Sequence, residues 1–146
     1  MKHLPLLLLL IVFAACQSTG KAGRSDSTAL DTNADTATSV TYSGTLPCAD
    51  CSGIVTELTL QKGPDHHFSL KETYQGKNQT FPSEGTYKIV HGSPSDPAAT
   101  VIQLNPDKDK NLQRYYQQVD DNELKLLDSD QKTIQSGNNY TLKKVL

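Results

Sequence analysis

The residues of this chain best suited to chemistry are two cysteines separated by two positions. Cys48 and Cys51 lie in a short polar segment that runs into residues 53–60. A redox-active Cys-x-x-Cys pair usually caps a helix, whose N-terminus favours the thiolate. Residues 53–60 are instead rich in β-branched side chains and alternate in polarity, which predicts a strand. The pattern therefore favours a disulfide or a soft-metal site over a thioredoxin-type enzyme.

Three hypotheses for this cysteine pair stay open. A local disulfide closes only about four residues and contributes about 2 kcal/mol on the chain-entropy model. Paired thiolates suit a soft ion such as Cu(I), whereas a closed zinc site requires four ligands. Thiol–disulfide exchange is the third hypothesis. It is weakened by Asp50, whose negative charge between the cysteines disfavours a thiolate.

Two histidines are candidate accessory ligands for a metal. His66 and His67 are adjacent on a predicted strand, so their side chains point to opposite faces and at most one lines any given site. The chain shows no Ser-His-Asp, metalloprotease or phosphate-loop spacing. We therefore expect a binding protein and not an enzyme.

The start of the chain indicates export and lipidation. Lys2 precedes an apolar run over residues 4–13, which is too short to span a membrane and is typical of a secretory signal. The sequence Phe13-Ala14-Ala15-Cys16 resembles a bacterial lipobox, which predicts a signal peptide over residues 1–15 and a lipidated Cys16. The alternative is a plain signal peptide that leaves Cys16 as a free thiol.

The segment after the predicted lipid site indicates a flexible tether. Residues 17–39 are mainly Ser, Thr, Ala, Gly and Asp, and such a segment buries too little apolar surface to fold. Together with Cys16 it forms a predicted anchor and tether over residues 16–39, with a reach of about 26 Å. Gln17, in place of an aspartate, resembles outer-membrane sorting signals, so we expect an envelope protein that faces the periplasm.

Charge adds two expectations about partners. The net charge is −2, which gives no electrostatic reason to bind nucleic acid. No cluster of lysines and arginines is present, so attachment to the membrane depends on the N-terminal lipid.

Residues 40–146 predict a single all-β domain. Period-two alternation dominates, turn signals separate the segments, and no amphipathic helix of ten residues is evident. The eight strand candidates are residues 40–46, 54–62, 66–74, 85–90, 100–104, 112–119, 123–127 and 139–145. Short links between antiparallel strands favour a small up-and-down β-barrel over a sandwich. A barrel of about eight strands is filled by side chains or holds one small ligand.

The sequence around the cysteine pair also resembles a known family. The matching residues are Tyr42, Gly44, Leu46, Pro47, Cys48, Ala49, Asp50, Cys51, Gly53, Ile54, Thr56, Leu58 and Leu60. A second match runs over Leu124, Leu126, Leu127, Asp128, Asn139, Tyr140, Thr141 and Leu142. Both resemble the N-terminal domain of NlpE-type copper-resistance lipoproteins.

This resemblance implies a lipocalin-like barrel, anchoring in the outer membrane, and envelope stress signalling linked to copper and surface contact. It implies that Cys48 and Cys51 are the functional pair of this chain, with Pro47, Asp50 and Gly53 as supporting residues. It also implies copper as a ligand, and an envelope sensor kinase or another envelope protein as a partner. Longer members have a second domain, and functions that depend on that domain are not expected to transfer.

Two functional hypotheses follow. The leading one is a lipid-anchored sensing module whose Cys48/Cys51 site responds to copper or to thiol redox state. The alternative is a lipocalin-like carrier of a small apolar ligand, in which the disulfide is purely structural. An interior filled by side chains such as Phe68, Leu70 and Tyr116 would argue against the carrier.

Overall fold

The structure, a computed structural model, describes residues 38–146, which form a closed antiparallel barrel with its strands in sequence order. The strands are β1 Ser39–Leu46, β2 Ile54–Gln61, β3 His67–Tyr74, β4 Gln79–Ser93, β5 Asp96–Leu104, β6 Arg114–Asp120, β7 Glu123–Leu126 and β8 Thr141–Lys144. The predicted eight-stranded up-and-down barrel is confirmed. The predictions for the signal peptide, Cys16 and residues 17–37 lie outside the described residues.

The barrel interior follows directly from the alternation of the strands. Tyr42, Leu58 and Leu70 are aligned across β1, β2 and β3, and all three are buried. They belong to a core cluster of side chains that face inward from the strands. Its buried members are Tyr42, Leu46, Leu58, Leu60, Phe68, Leu70, Tyr87, Ile102, Leu104, Tyr116, Leu124 and Leu142. These inward-facing side chains are thus removed from water, which supplies the main driving force for folding.

This core decides where a ligand could lie. Phe68, Leu70 and Tyr116 are 3%, 5% and 1% exposed, so side chains fill the barrel at their level. The carrier hypothesis, in which the barrel holds a small apolar ligand, therefore loses its support. Space remains at one end of the barrel, described below.

The largest departure from the predicted strand bounds is in β4. The sequence predicted a strand over residues 85–90 only, whereas β4 is Gln79–Ser93 and pairs with β5 up to Ser93 and Asp96. The first six residues of β4 are all exposed, so they lack the alternation that reveals a strand. β4 also changes partner, pairing with β3 as far as Thr86 and with β5 from Tyr87 onward.

Helical structure is minimal in the described part of the chain, as predicted. Its one helix is a single 3₁₀ turn, Lys110–Leu112, between β5 and β6. No helix among residues 38–146 has the length and apolar character needed to cross a membrane.

The connections define two ends of the barrel. The end that we call the cysteine end contains the connections after β1, β3, β5 and β7, including the segment 47–53 with both cysteines. The other end, which we call the entry end, contains the start of β1 at Ser39 and the connections after β2, β4 and β6.

Candidate functional site

The cysteine pair lies in the connection between β1 and β2, at the cysteine end. Cys48 and Cys51 are joined by a disulfide with a Cα–Cα distance of 5.3 Å, within the usual range for such bonds. Both residues are half-buried, while Ala49 and Asp50 between them are exposed. The first of the three sequence hypotheses, a local disulfide, therefore describes this state of the protein.

Gly53 fixes how the cysteine connection enters β2. Its φ of 154° is one that L-residues rarely adopt. A Cβ at this position would lie 2.5 Å from Thr45 Cγ2 and 3.0 Å from the Gln75 side chain. The backbone N–H of Gln75 donates to the Gly53 carbonyl at 2.9 Å. The cysteine connection is therefore fixed to the neighbouring turn between β3 and β4.

The Asp50 carboxylate contacts both a cysteine sulfur and Lys77 in the turn between β3 and β4. One carboxylate oxygen lies 3.6 Å from Cys48 Sγ, and the other accepts a hydrogen bond from Lys77 Nζ. This hydrogen bond, together with the positive charge of Lys77, lowers the pKa of Asp50 below its usual value. Asp50 is therefore a carboxylate at neutral pH, and its charge is partly neutralised.

Sequence reasoning missed Lys77. Lys77 is 27 positions from Asp50 along the chain. The pairing of Ile54 with Tyr74 and of Tyr74 with Gln79 brings the two connections together. The sequence shows a basic residue in the turn after β3. Its contact with Asp50 can be inferred only when the register of the strands is known.

The surroundings of the sulfurs indicate what the reduced pair would do. Cys48 Sγ faces the Asp50 carboxylate, and Cys51 Sγ lies 3.3 Å from the carbonyl oxygen of Gly53. A disulfide has no S–H to donate, but each thiol formed on reduction would find an acceptor, which favours the thiol over the thiolate. No α-helix N-terminus is present in residues 38–146 to offset this effect. The thiol–disulfide exchange hypothesis therefore gains no support from the described residues.

The same atoms form a candidate metal site. One ligand atom each from Cys48, Asp50 and Cys51 lie within 4.8 Å of one another, the only such group in the described residues. Two sulfurs and one carboxylate fall short of the four ligands of structural zinc. Two thiolates fit a soft ion such as Cu(I), once the disulfide has been reduced.

The histidines do not contribute to this site. His67 is the first residue of β3, and His66 precedes it in the connection after β2, outside the predicted strand. Both lie at the entry end, whereas the cysteines lie at the opposite end. The prediction that one of them is an accessory ligand is therefore not supported by the fold. The physical reason is the up-and-down topology, which places connections that follow successive strands at alternate ends.

Comparison with known proteins identifies the domain. The family model described as the NlpE N-terminal domain matches residues 42–137, which include the cysteine pair. Lipoprotein NlpE of Escherichia coli (strain K12) is 36% identical over 104 residues, which are 69% of this chain and 39% of that protein. The chain thus spans about two fifths of the length of this curated relative.

Solved structures show a corresponding similarity. The crystal structure of a candidate lipoprotein from Shewanella oneidensis is 36% identical, with a TM-score of 0.53, over 71% of this chain and 85% of that one. The crystal structure of the Cpx pathway activator NlpE from Escherichia coli is 30% identical, with a TM-score of 0.49, over 69% of this chain and 48% of that one. The Shewanella structure supports the barrel assignment.

Proposed function

This chain belongs to the NlpE N-terminal domain family, and we propose that it is a lipid-anchored envelope protein whose reduced Cys48/Cys51 pair binds Cu(I). The observation that supports this most is the grouping of two sulfurs and a carboxylate on a half-exposed connection of a packed barrel. The region matched by the family model, residues 42–137, contains this group.

The first part of the proposal is the anchor. The Escherichia coli relative is named a lipoprotein, and the leader of this chain offers Cys16 as the acylated residue. Lipid on Cys16 would attach the barrel to the outer membrane on its periplasmic side, in reach of an envelope sensor kinase or another envelope protein. Replacing Cys16 by serine is expected to move the protein from the membrane fraction to the soluble fraction. Equal membrane retention of this variant would contradict the anchor.

The chemistry of the site links redox state to metal binding. Reduction of the disulfide by an external dithiol transfers two electrons and two protons to Cys48 and Cys51. The two thiols must then release those protons to act as ligands, because the thiolate is the form that binds a metal. Cu(I) held by the two thiolates would keep the sulfurs in the reduced state. The disulfide and the copper site are therefore alternative states of one pair.

Asp50 and Lys77 have a supporting role in this proposal. The carboxylate is a hard ligand and is already hydrogen-bonded to Lys77, so it suits a soft ion less than the sulfurs do. We propose that Asp50 positions the connection and tunes its charge, while the two sulfurs hold the ion.

A Cu(I) titration tests the site. In a Cys16→Ser background, which removes the third thiol, the reduced protein is expected to bind one Cu(I) in competition with bicinchoninate. Replacing both Cys48 and Cys51 by serine should weaken binding by about tenfold or more, equivalent to at least ~1.4 kcal/mol. Asp50→Asn should change the affinity much less.

The oxidised protein is the internal control for this titration, because it has the same sequence with both sulfurs in the disulfide. It should bind no more tightly than the double serine variant. Equal Cu(I) affinity for the reduced parent and the double variant would contradict the proposed site.

A further inference from the structure

A second candidate site lies at the entry end of the barrel, opposite the disulfide. A pocket of about 470 Å³ opens there, a volume typical of small-molecule sites. Its apolar wall is formed by Val40, Leu60, Ile89 and Ile102. Its polar lining includes Tyr42, Tyr87, His66, Gln118, Lys62, Lys144 and Asp121. Apolar and polar groups thus both line this pocket, and in small-molecule sites the polar groups fix the orientation of the ligand.

His66 gives this pocket an unusual feature. Its Nδ1 atom is buried, and no atom of residues 38–146 forms a hydrogen bond with it. Buried polar side-chain atoms normally have a partner, so an unpaired one requires an explanation. The ring packs edge-on against Tyr87, with centroids 5.0 Å apart and an angle of 78° between the planes. The imidazole therefore lies in the pocket lining with an unused hydrogen-bonding capacity.

The two tyrosines of the pocket are held in place by the backbone. The Tyr42 hydroxyl donates to the Asp121 carbonyl at 3.4 Å, and the Tyr87 hydroxyl donates to the Gln61 carbonyl at 3.1 Å. Burial raises the pKa of both groups, so they stay neutral. Each hydroxyl donates its proton to a backbone carbonyl, which fixes the side chains of Tyr42 and Tyr87 in the pocket lining.

The charged rim of the pocket favours an anion. Lys62 and Lys144 line it together with one acidic residue, Asp121. Within the described residues, neither lysine forms an ion pair. Two lysines and one aspartate therefore line a pocket whose other groups are both polar and apolar, and the neighbouring Asp120 also acts on Tyr42 through its charge. A ligand with an apolar body and a negatively charged head matches this distribution.

We propose that this pocket binds an amphiphile with one acyl chain and one anionic head group. The chain packs against Leu60 and Ile102, and the head group lies between Lys62 and Lys144. His66 can donate from a ring nitrogen to the head group after a turn of the ring, which gives the imidazole the partner it lacks. This site goes beyond the proposed copper function and does not depend on it, because it lies at the other end of the barrel.

Isothermal titration with dodecanoate tests the proposal. The probe is added below its micelle concentration to the full chain with Cys16→Ser, so that no attached lipid competes. The control ligand is dodecanol, which has the same chain and no charge. Dodecanoate is expected to bind about tenfold more tightly than dodecanol, because the lysines contribute only to the anion.

Two matched variants test where on the barrel the ligand binds. Ile89→Glu puts a negative charge in the pocket lining, and Leu112→Glu makes the same change at the opposite end. The two residues are similarly exposed, at 47% and 52%, so both changes should leave the fold intact. Ile89→Glu should weaken dodecanoate binding by about tenfold, since it repels the head group, while Leu112→Glu should have no effect. His66→Phe, which keeps an aromatic ring, should weaken binding several-fold.

A second ligand, a lysophosphatidylglycerol with the same twelve-carbon chain, is titrated to distinguish two sources of the amphiphile. Tighter binding of the lysolipid indicates a membrane-derived ligand, and tighter binding of dodecanoate indicates a free fatty acid. The proposal is overturned if neither binds, if dodecanol binds equally well, or if both glutamate variants behave alike. If Ile89→Glu fails to fold by circular dichroism, the surface pair Lys62→Gln/Lys144→Gln provides the same test.

Discussion

Replacing Leu58 by alanine is expected to lower the free energy of unfolding by about 2 to 5 kcal/mol. Leu58 is 0% exposed and lies between Tyr42 on β1 and Leu70 on β3, in the middle of the core. Truncation removes apolar area from the interior and leaves a cavity that neighbouring strands cannot close, because their register is fixed by hydrogen bonds. Urea unfolding followed by circular dichroism measures the loss.

The control for this experiment is the same substitution at an exposed leucine. Leu112 is 52% exposed in the turn before β6, so Leu112→Ala should change the unfolding free energy by no more than about 0.5 kcal/mol. Equal effects of Leu58→Ala and Leu112→Ala would show that the barrel interior is not the main source of stability.

The second large effect is expected at Gly44, where the barrel closes. A Cβ on Gly44 would lie 2.5 Å from the carbonyl oxygen of Thr141 and 3.1 Å from Leu142 Cδ2. The nearest atom belongs to the backbone of β8, so it cannot rotate away as a side chain could. The ladder between β1 and β8 has only two residue pairs, Tyr42 with Lys144 and Ser43 with Lys143. A methyl group at this position would therefore push β8 away from β1, to which it is joined by only these two residue pairs.

Gly44→Ala should destabilise the protein by about 1 to 3 kcal/mol, and Gly44→Val by more. In the Gly44→Ala variant, the amide protons of β8 should exchange with solvent faster than those of β2 or β3. The matched control is Gly137→Ala, since a Cβ there meets no atom within 4 Å. That change is expected to be neutral or to stabilise by up to about 1 kcal/mol. A Gly44→Ala variant as stable as Gly137→Ala would show that β8 shifts without cost.

The two proposed sites are separated by the length of the barrel. The sulfurs of Cys48 and Cys51 lie at one end, and the pocket with His66 lies at the other. Core side chains such as Tyr116 fill the space between them. Copper or redox chemistry at the cysteine end and amphiphile binding at the entry end can therefore be tested one at a time, in the same protein.

The sequence predicted the class of the fold because the relevant signal is local. In a strand with one buried face, alternate side chains point to the core, so the pattern of Thr56, Leu58 and Leu60 can be read without knowing their partners. Turn residues mark where each strand ends. Where one half of a strand is exposed on both faces, as in β4, the pattern disappears and the prediction was too short.

The candidate site was predicted only in part. The cysteine spacing and the strand that follows identified the pair and argued against activation by a helix. The contact from Lys77 to Asp50 was not visible, because it depends on the register of β2, β3 and β4. The proposed histidine ligand failed for a related reason, since local sequence does not show at which end of the barrel a connection lies.

By itself, the sequence determined the alternating strands, the turns between them, and a cysteine pair that leads into a strand. These are properties of neighbouring residues, governed by the side-chain period of an extended chain. Only the tertiary structure decided the contacts between residues distant in sequence. Among them is a second cluster on the outer face, formed by Ala99, Val101, Tyr115 and Leu127. Others are the close approach of Gly44 to β8 and the pocket around His66. Such contacts depend on which strands pair and in which register, and the registers are set when the barrel closes as a whole.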